Sequence, residues 1–248
     1  MTNKEIKRIQ SLKRGKCRRE HGQFLIEGKR LVQSAFERKI KPDLIYFTES
    51  FHRENTEWIQ SIEWSGVSYE NISTKQLEKI SFTKSPSGIL AICKFPEKHL
   101  PDLNQNRWVY LDRISDPGNM GTILRSAAWF GLNHVALSAD CVDPFNPKAV
   151  RAGMGAHFHL AIHSDIDINI FIENQYYIVG ADHHGQPLTE LLVIPERWVL
   201  VLGGEAHGLS EATNKKLDRT LSIPKSGSGE SLNVSVAGAI LMHQLSSK

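Results

Sequence analysis

Two hydrophobic periods take turns along the first part of the chain. In KEIKRIQSLKR the apolar residues Ile6, Ile9 and Leu12 recur at helical spacing, with Lys7, Arg8, Lys13 and Arg14 around them. FLIEG is a short apolar run that predicts a buried strand, and KRLVQSAFERK returns to the helical period. DLIYFT and GILAICKF predict two more strands, with the helical TEWIQSIEW between them. Such alternation predicts a small α/β domain over residues 1–95. PEKHLPDLNQN then brings two prolines and polar residues with no apolar period, which predicts a linker over 96–106.

The remainder, 107–248, carries longer apolar runs. RWVYLDRI, HVALS, FHLAIH, YYIVGAD, WVLVLGG and TLSIP read as strands. MGTILRSAAWFG, NPKAVRAGMGA, SEATNKKLD and the final NVSVAGAILMHQL read as helices. Several of these strands are apolar on both faces, as a parallel sheet covered by helices requires. The expected fold class is therefore α/β, a parallel-sheet C-terminal domain preceded by a small α/β domain.

Composition narrows the function classes. With 40% hydrophobic and 23% charged residues the chain matches a soluble globular protein. No apolar run approaches the roughly 20 residues of a membrane helix, and no apolar signal-peptide core is present, so a cytoplasmic protein without a membrane partner is expected. Cys17, Cys93 and Cys141 are far apart, which suits a reducing compartment. His157 and His159 alternate along an expected strand and His183-His184 falls in a turn-like stretch. Neither makes a zinc ligand set, and no metal is expected. The net charge of +3 hides an asymmetry: residues 1–41 hold 13 Lys/Arg against 4 Asp/Glu, a net of +9, leaving −6 on the remainder. A basic N-terminal portion on a mildly acidic body points to a polyanion.

Three strand ends then carry unusual residues, at the place where open α/β sheets bind ligands. In DRISDPGNMGTILRSAAWFG, the sequence Asp116-Pro117-Gly118-Asn119 is strong turn chemistry. Asn119 can cap the next helix, Gly131 can close it, and Arg125 is expected in its second turn. In WVLVLGGEAHGLS, Gly203 and Gly204 allow a backbone or a ligand to come close, Glu205 follows, and Ser210 can cap a helix. In SIPKSGSGESLN, a glycine-rich loop leads to Ser231, a potential N-cap, and Asn233, whose poor helix propensity calls for another role. There is no GxGxxG after a first strand, no GxxxxGK[ST] and no Gly-x-Ser-x-Gly. Nicotinamide, P-loop and hydrolase chemistries are thereby disfavoured.

With these residues the chain resembles the SpoU-type (TrmH family) RNA 2′-O-ribose methyltransferases of the SPOUT superfamily. DPGNMGTILRSAAWFG, VLGGEAHGLS and SIPKSGSGESLNVSVAGAI match the family's three motifs in order, and FLIEGKRLVQSA with TKSPSGILAI resembles its ribosomal-protein-like RNA-binding domain. The resemblance implies a SPOUT domain over 107–248 with a deep trefoil knot, S-adenosylmethionine as cofactor, and a homodimer that completes the active site. It implies cofactor contacts from Leu202, Gly203, Gly204, Ile223, Ser231 and Leu232, and a catalytic group of Arg125, Asn119, Glu205, Ser231 and Asn233. A guanidinium keeps its proton, so Arg125 is expected to clamp a phosphate and stabilise charge developing on the ribose oxygen. Asn119 and Asn233 would orient ribose or arginine, and Glu205 would hold Arg125 or a partner residue. Lys13, Arg14, Lys16, Arg18, Arg19, Arg30 and Arg151 are the expected RNA contacts, positioning phosphates without reading sequence.

The expected substrate is rRNA, 23S rRNA first, with tRNA as the alternative and a non-catalytic RNA-binding protein as the rival from another class. Two positions depart from the family pattern. Gly204 stands where Asn is common, and Lys225 where an apolar Met is common after Ile-Pro.

Overall fold

The computed structural model describes residues 1–61, 66–97, 99–188, 193–205 and 208–247. They form two compact units, Met1–Glu97 with Phe145–Phe158, and Lys98–Pro144 with His159–Lys248.

In the first unit, α1 (Asn3–Ser11) opens with a capping box between Thr2 and Glu5 and buries Ile6 and Ile9. The chain continues through α2 (Gly15–His21), β1 (Gln23–Glu27), α3 (Lys29–Glu37), β2 (Leu44–Thr48), α4 (Glu49–Glu54), α5 (Thr56–Ser61), β3 (Ser68–Ile72), α6 (Thr74–Ile80) and β4 (Ile89–Lys94). The strands lie in the order β1-β4-β2-β3, antiparallel except for the β2–β3 pair. The central strands are buried on both faces, with Ile45, Phe47 and Ala91 in one cluster and Tyr46, Leu90 and Ile92 in the other. The end of the helix expected over 56–64 lies outside the described residues.

The segment Phe145–Phe158 was expected within the second domain, yet its contacts belong to the first unit. Its aromatic rings explain the attachment: Phe145 lies 4.9 Å from both Phe24 and Phe95, and Phe158 lies 6.4 Å from Phe24. Val150 joins the same core.

The second unit is built on β5 (Arg107–Asp112), followed by α7 (Pro117–Trp129) and β6 (His134–Leu137). After α8 (Pro147–Gly153), the helix of the returning segment, come β7 (Ala161–His163), α9 (Asn169–Glu173), β8 (Tyr177–Pro187), β9 (Trp198–Gly203), α10 (Glu211–Asn214), β10 (Arg219–Ser222) and α11 (Val234–Ser246). The six strands lie in the order β10-β8-β9-β5-β6-β7 and every neighbouring pair is parallel. This is the expected sheet, and the continuous burial of β5 and β9 is what parallel strands between helical layers need. FHLAIH does not form one strand. His157 lies in a 3₁₀ turn, Ala156–Phe158, and β7 starts only at Ala161.

Small residues let α11 settle on the sheet. A Cβ at Gly238 would lie 2.7 Å from Leu202 Cδ1. β8 runs in register with β10 at Gly180↔Thr220 and again at Gln186↔Leu221, so residues 181–185 form an unpaired excursion between two consecutive β10 positions. The excursion carries Asp182, His183 and His184.

Candidate functional site

The carboxyl ends of β5, β9 and β10 lead into the three loops singled out by the sequence. After β5, Asp116 is the N-cap of α7, its Oδ1 accepting from Asn119 N at 2.9 Å, and Pro117 supplies the first turn. The cap was expected from Asn119. Because Asp116 takes that role, the Asn119 side chain is free to point elsewhere. Gly131, at φ +72, follows the helix end as expected.

After β10 the chain runs exposed through 224–233 to α11. Its N-cap is Asn233, not Ser231. Asn233 Oδ1 accepts from Ser235 N at 2.9 Å and Val236 N at 3.4 Å, while Ser235 Oγ donates to it at 2.5 Å. One amide therefore does two jobs. Its oxygen caps the helix and its nitrogen is left to donate outward. Nδ2 donates to Asn119 Oδ1 at 3.0 Å and to Glu205 Oε1. This junction joins the three loops: Asn119 from β5–α7, Glu205 from the end of β9, and Asn233 from the start of α11.

Ser231, also expected in the catalytic group, is exposed and makes no hydrogen bond among the described residues. Arg125 is exposed in the third turn of α7, one turn later than expected, because the helix starts at Pro117. Six residues past Asn119 is a rise of about 9 Å and a rotation of about 240°, so the two side chains leave different sides of the helix. Arg125 has no hydrogen-bond or ion-pair partner among the described residues, and Glu205 is held by Asn233 rather than by Arg125.

The two glycines are explained by backbone proximity. A Cβ at Gly203 would lie 2.4 Å from Gly208 C and Leu209 N, and one at Gly204 would lie 2.6 Å from Arg113 O. Real Cβ atoms do not come so close to backbone, so the departure from the family pattern at 204 matches the room available here. Lys225, the second departure, donates from Nζ to Gly229 O at 2.5 Å and ties the glycine-rich loop to itself. Leu202 is buried, Ile223 is partly buried, and Leu232 is 51% exposed beside Asn233.

The expected RNA-binding cations divide by burial. Lys13, Arg14, Lys16, Arg19 and Arg30 are exposed in the first unit, as is Arg151 in the last turn of α8. Arg18 is a correction. It is 1% exposed, and its Nη1 donates to Leu12 O at 2.8 Å and Lys13 O at 2.9 Å, the carbonyls at the end of α1. It is a buried helix clasp rather than a surface cation. Apart from Gly15 and Cys17 its neighbours in GKCRREH are all polar, so nothing in the local pattern marks it as the inward residue.

Asp112 was also missed, although it is the charged residue that closes the apolar run WVYLD. It is buried at the carboxyl end of β5.

The chain matches the model of the SpoU rRNA Methylase family over residues 106–243 and that of an MRM3-like substrate binding domain over 3–91. It is 32% identical over 250 residues to the 23S rRNA (guanosine(2553)-2'-O)-methyltransferase RlmP of Bacillus subtilis (strain 168), covering 98% of this chain and 96% of that one. Among solved structures, a putative RNA methyltransferase of the TrmH family from Porphyromonas gingivalis superposes with a TM-score of 0.84 at 29% identity, covering 98% of this chain and 97% of that one. An AdoMet-bound rRNA methyltransferase from Sinorhizobium meliloti gives 0.83 at 26% identity, covering 98% and 94%. The chain belongs to the SpoU rRNA methylase family.

Proposed function

We propose that this protein methylates a ribose 2′-hydroxyl in structured RNA, 23S rRNA by preference, with S-adenosylmethionine as the methyl donor. The observation that carries the reading is the Asn119–Asn233–Glu205 junction, which gathers all three family motifs at the carboxyl end of the parallel sheet. The methylated RNA of the Bacillus relative supports the substrate class. Acting on ribosomal RNA puts the protein in the cytoplasm in this reading.

The residues present suit that cofactor. Gly203 and Gly204 offer main chain without side chains, and Ile223 and Leu232 offer apolar surface, with Leu202 beneath and Ser231 alongside. S-adenosylmethionine, when bound, supplies an electrophilic methyl group. The chain's own residues do the rest. Arg125, exposed and unpaired among the described residues, would grip the target phosphate and stabilise charge developing on the ribose oxygen. Asn119 would orient the ribose through its own amide nitrogen, with Asn233 holding Asn119 in place. Glu205 fixes the Asn233 amide, so the position of Asn119 is set before substrate arrives. Lys13, Arg14, Lys16, Arg19 and Arg30 would hold the RNA through phosphates, with Arg151 extending that surface. The reading includes the family's trefoil knot, which the resemblance implies.

The active unit in this reading is a homodimer. Trp129 is 83% exposed at the end of α7, and Val236 and Ile240, one turn apart on α11, are exposed apolar residues. Such side chains on two packed helices favour self-association. Sedimentation should give a dimer, and Trp129→Glu a monomer.

The function itself is tested by incubating the protein with 23S rRNA and methyl-labelled S-adenosylmethionine, with tRNA in parallel. A 2′-O-methylated nucleotide in the rRNA is expected. Label in tRNA alone would move the substrate, and label in neither would overturn the enzymatic reading.

A further inference from the structure

We infer that Asp112 and Arg113 are positioning residues that clamp the two described arms of the loop after β9, Gly204–Glu205 and Gly208–Ser210, and so set the geometry of the cofactor pocket. The inference rests on the cofactor reading above and adds two residues to it.

Asp112 holds both ends of that loop. Its main-chain oxygen accepts from Gly204 N at 3.0 Å, and its side-chain Oδ2 accepts from Ser210 N at 2.6 Å. The carboxylate is 3% exposed, so these are not incidental surface contacts. A buried carboxylate needs polar partners to be tolerated. One is the Ser210 amide. The other is Arg113, whose Nε stands 3.8 Å from Oδ1. Ser210 in turn caps α10, its Oγ accepting from Thr213 N at 3.1 Å, so the clamp also fixes where that helix begins.

Arg113 works from the other side of the loop. Its Nη2 reaches Gly208 O at 3.5 Å, and its main-chain oxygen occupies the space where a side chain at 204 would start. Gly208 N donates to Gly204 O at 2.8 Å, closing the loop on itself. Arg113 does this from a left-handed backbone conformation, φ +57, which is unfavourable for a residue with a side chain. The surroundings enforce it: Arg113 N donates to Ser138 Oγ at 3.0 Å and Val142 N donates to Ile114 O at 2.8 Å, pinning the chain on both sides of the turn. Backbone strain held in this way clusters at ligand sites. Glu205, a member of the three-loop junction, lies inside the clamped segment.

A split between KM and kcat, with rescue by the conservative variant, separates a positioning role from a purely structural one. Arg113→Gly relieves the left-handed backbone but removes the whole side chain, and with it the positive charge that faces the buried Asp112 carboxylate. The Kd and KM for S-adenosylmethionine should rise about five-fold while kcat stays within about two-fold, and the melting temperature reports separately the loss of the charge facing Asp112. Arg113→Lys should recover part of the affinity. Asp112→Asn keeps one acceptor for Ser210 N and loses the charge facing Arg113, and should raise the Kd in the same direction.

Calorimetric titration of S-adenosylmethionine into full-length wild type and the three variants provides the first readout. Amide hydrogen exchange at Gly208 and Ser210 without cofactor provides the second. Faster exchange at both amides in Arg113→Gly together with weaker binding is the expected result. Binding within two-fold of wild type, or unchanged exchange, overturns the clamp, even where Asp112→Asn fails to fold. Wild type that does not bind the cofactor at all overturns the cofactor reading, and with it the claim that the loop is held for that ligand.

Discussion

At the amino end of the six-stranded sheet, Trp108 and Trp198 are buried at the starts of β5 and β9, and Tyr176 donates its hydroxyl to Leu103 O at 2.9 Å and Gln105 O at 2.6 Å. Arg197 lies over the Tyr176 ring at 4.1 Å and also donates to Leu103 O. At the carboxyl end the same strands run out into exposed loops with Asn119, Glu205 and Asn233 hydrogen-bonded to one another, two crowded glycines and a strained Arg113. The amino end joins the Tyr176 hydroxyl and the Arg197 guanidinium to backbone among aromatic rings. The carboxyl end joins polar side chains to each other and leaves them open. The difference separates stability from chemistry along single strands, and substitutions at the two ends should therefore fail in different ways.

The largest effect is expected at the closed end. Trp108 is fully buried among Phe171, Tyr176 and Ile178. Trp108→Ala should cost about 3–5 kcal/mol of stability by urea melts, with cofactor affinity retained in the fraction still folded. Asn233→Ala, at the open end, should do the reverse. Losing the cap costs about 1 kcal/mol, but losing the amide that joins Asn119 to Glu205 should lower kcat/KM about 100-fold, the usual penalty for misplaced catalytic groups. Asn233→Asp separates the two jobs: the cap survives, stability recovers, and activity does not. Equal stability losses at the two ends would break the comparison.

Gly204→Asn, which restores the family's common residue, tests where the two regimes meet. The new Cβ would meet Arg113 O, so a cost of about 1–3 kcal/mol in stability is expected together with weaker cofactor binding. An unchanged melting temperature would mean that the loop adapts and that the close approach at 204 is incidental.

How much of this was legible in the chain follows the same division. The parallel sheet could be read because β5 and β9 are apolar without interruption, a pattern few other architectures produce. β3 was missed because SYENI lies at a sheet edge and is largely exposed, so no alternation marks it. α2 was missed because GKCRREH has no apolar stripe, its inward residue being Arg18. Phe145–Phe158 follows apolar elements of the second unit in sequence, and no local signal says that its rings fill the first. The motif residues at the open end stood out as polar residues and glycines after three strand ends, and the resemblance gave them their roles. Which of Ser231 and Asn233 caps α11, and the double use of the Asn233 amide, depend on where the loop turns, and periodicity does not carry that. Asp112 was hidden because its partners lie on Ser210 and Gly204, far along the chain.

The smallest effect is a pH dependence confined to the closed end. The His134 ring lies 4.9 Å from Trp108 and the His163 ring 5.4 Å from it, and His134 Nδ1 and His163 Nε2 are buried without hydrogen-bond partners among the described residues. Burial lowers the pKa of both imidazoles below the ordinary value of 6.5. Asp102 opposes the shift at His134, and the His99 carbonyl, 3.2 Å from His163 Nδ1, opposes it at His163, while the His134 and His99 imidazoles lower His163 further. In the window between the depressed native values and 6.5, the unfolded chain binds more protons than the folded one. Unfolding free energy should therefore fall as pH drops below the ordinary histidine value, and level off once the native imidazoles also protonate. Above that window the two histidines contribute no slope. Urea melts between about pH 7.5 and pH 5 should show the decline, and His134→Phe, which keeps a ring against Trp108, should flatten it. Cofactor affinity should follow one pH profile in wild type and variant, because the imidazole lies at the opposite end of the strands from the three-loop junction. A profile that moved with His134 would tie the two ends together and undo the separation on which the comparison rests.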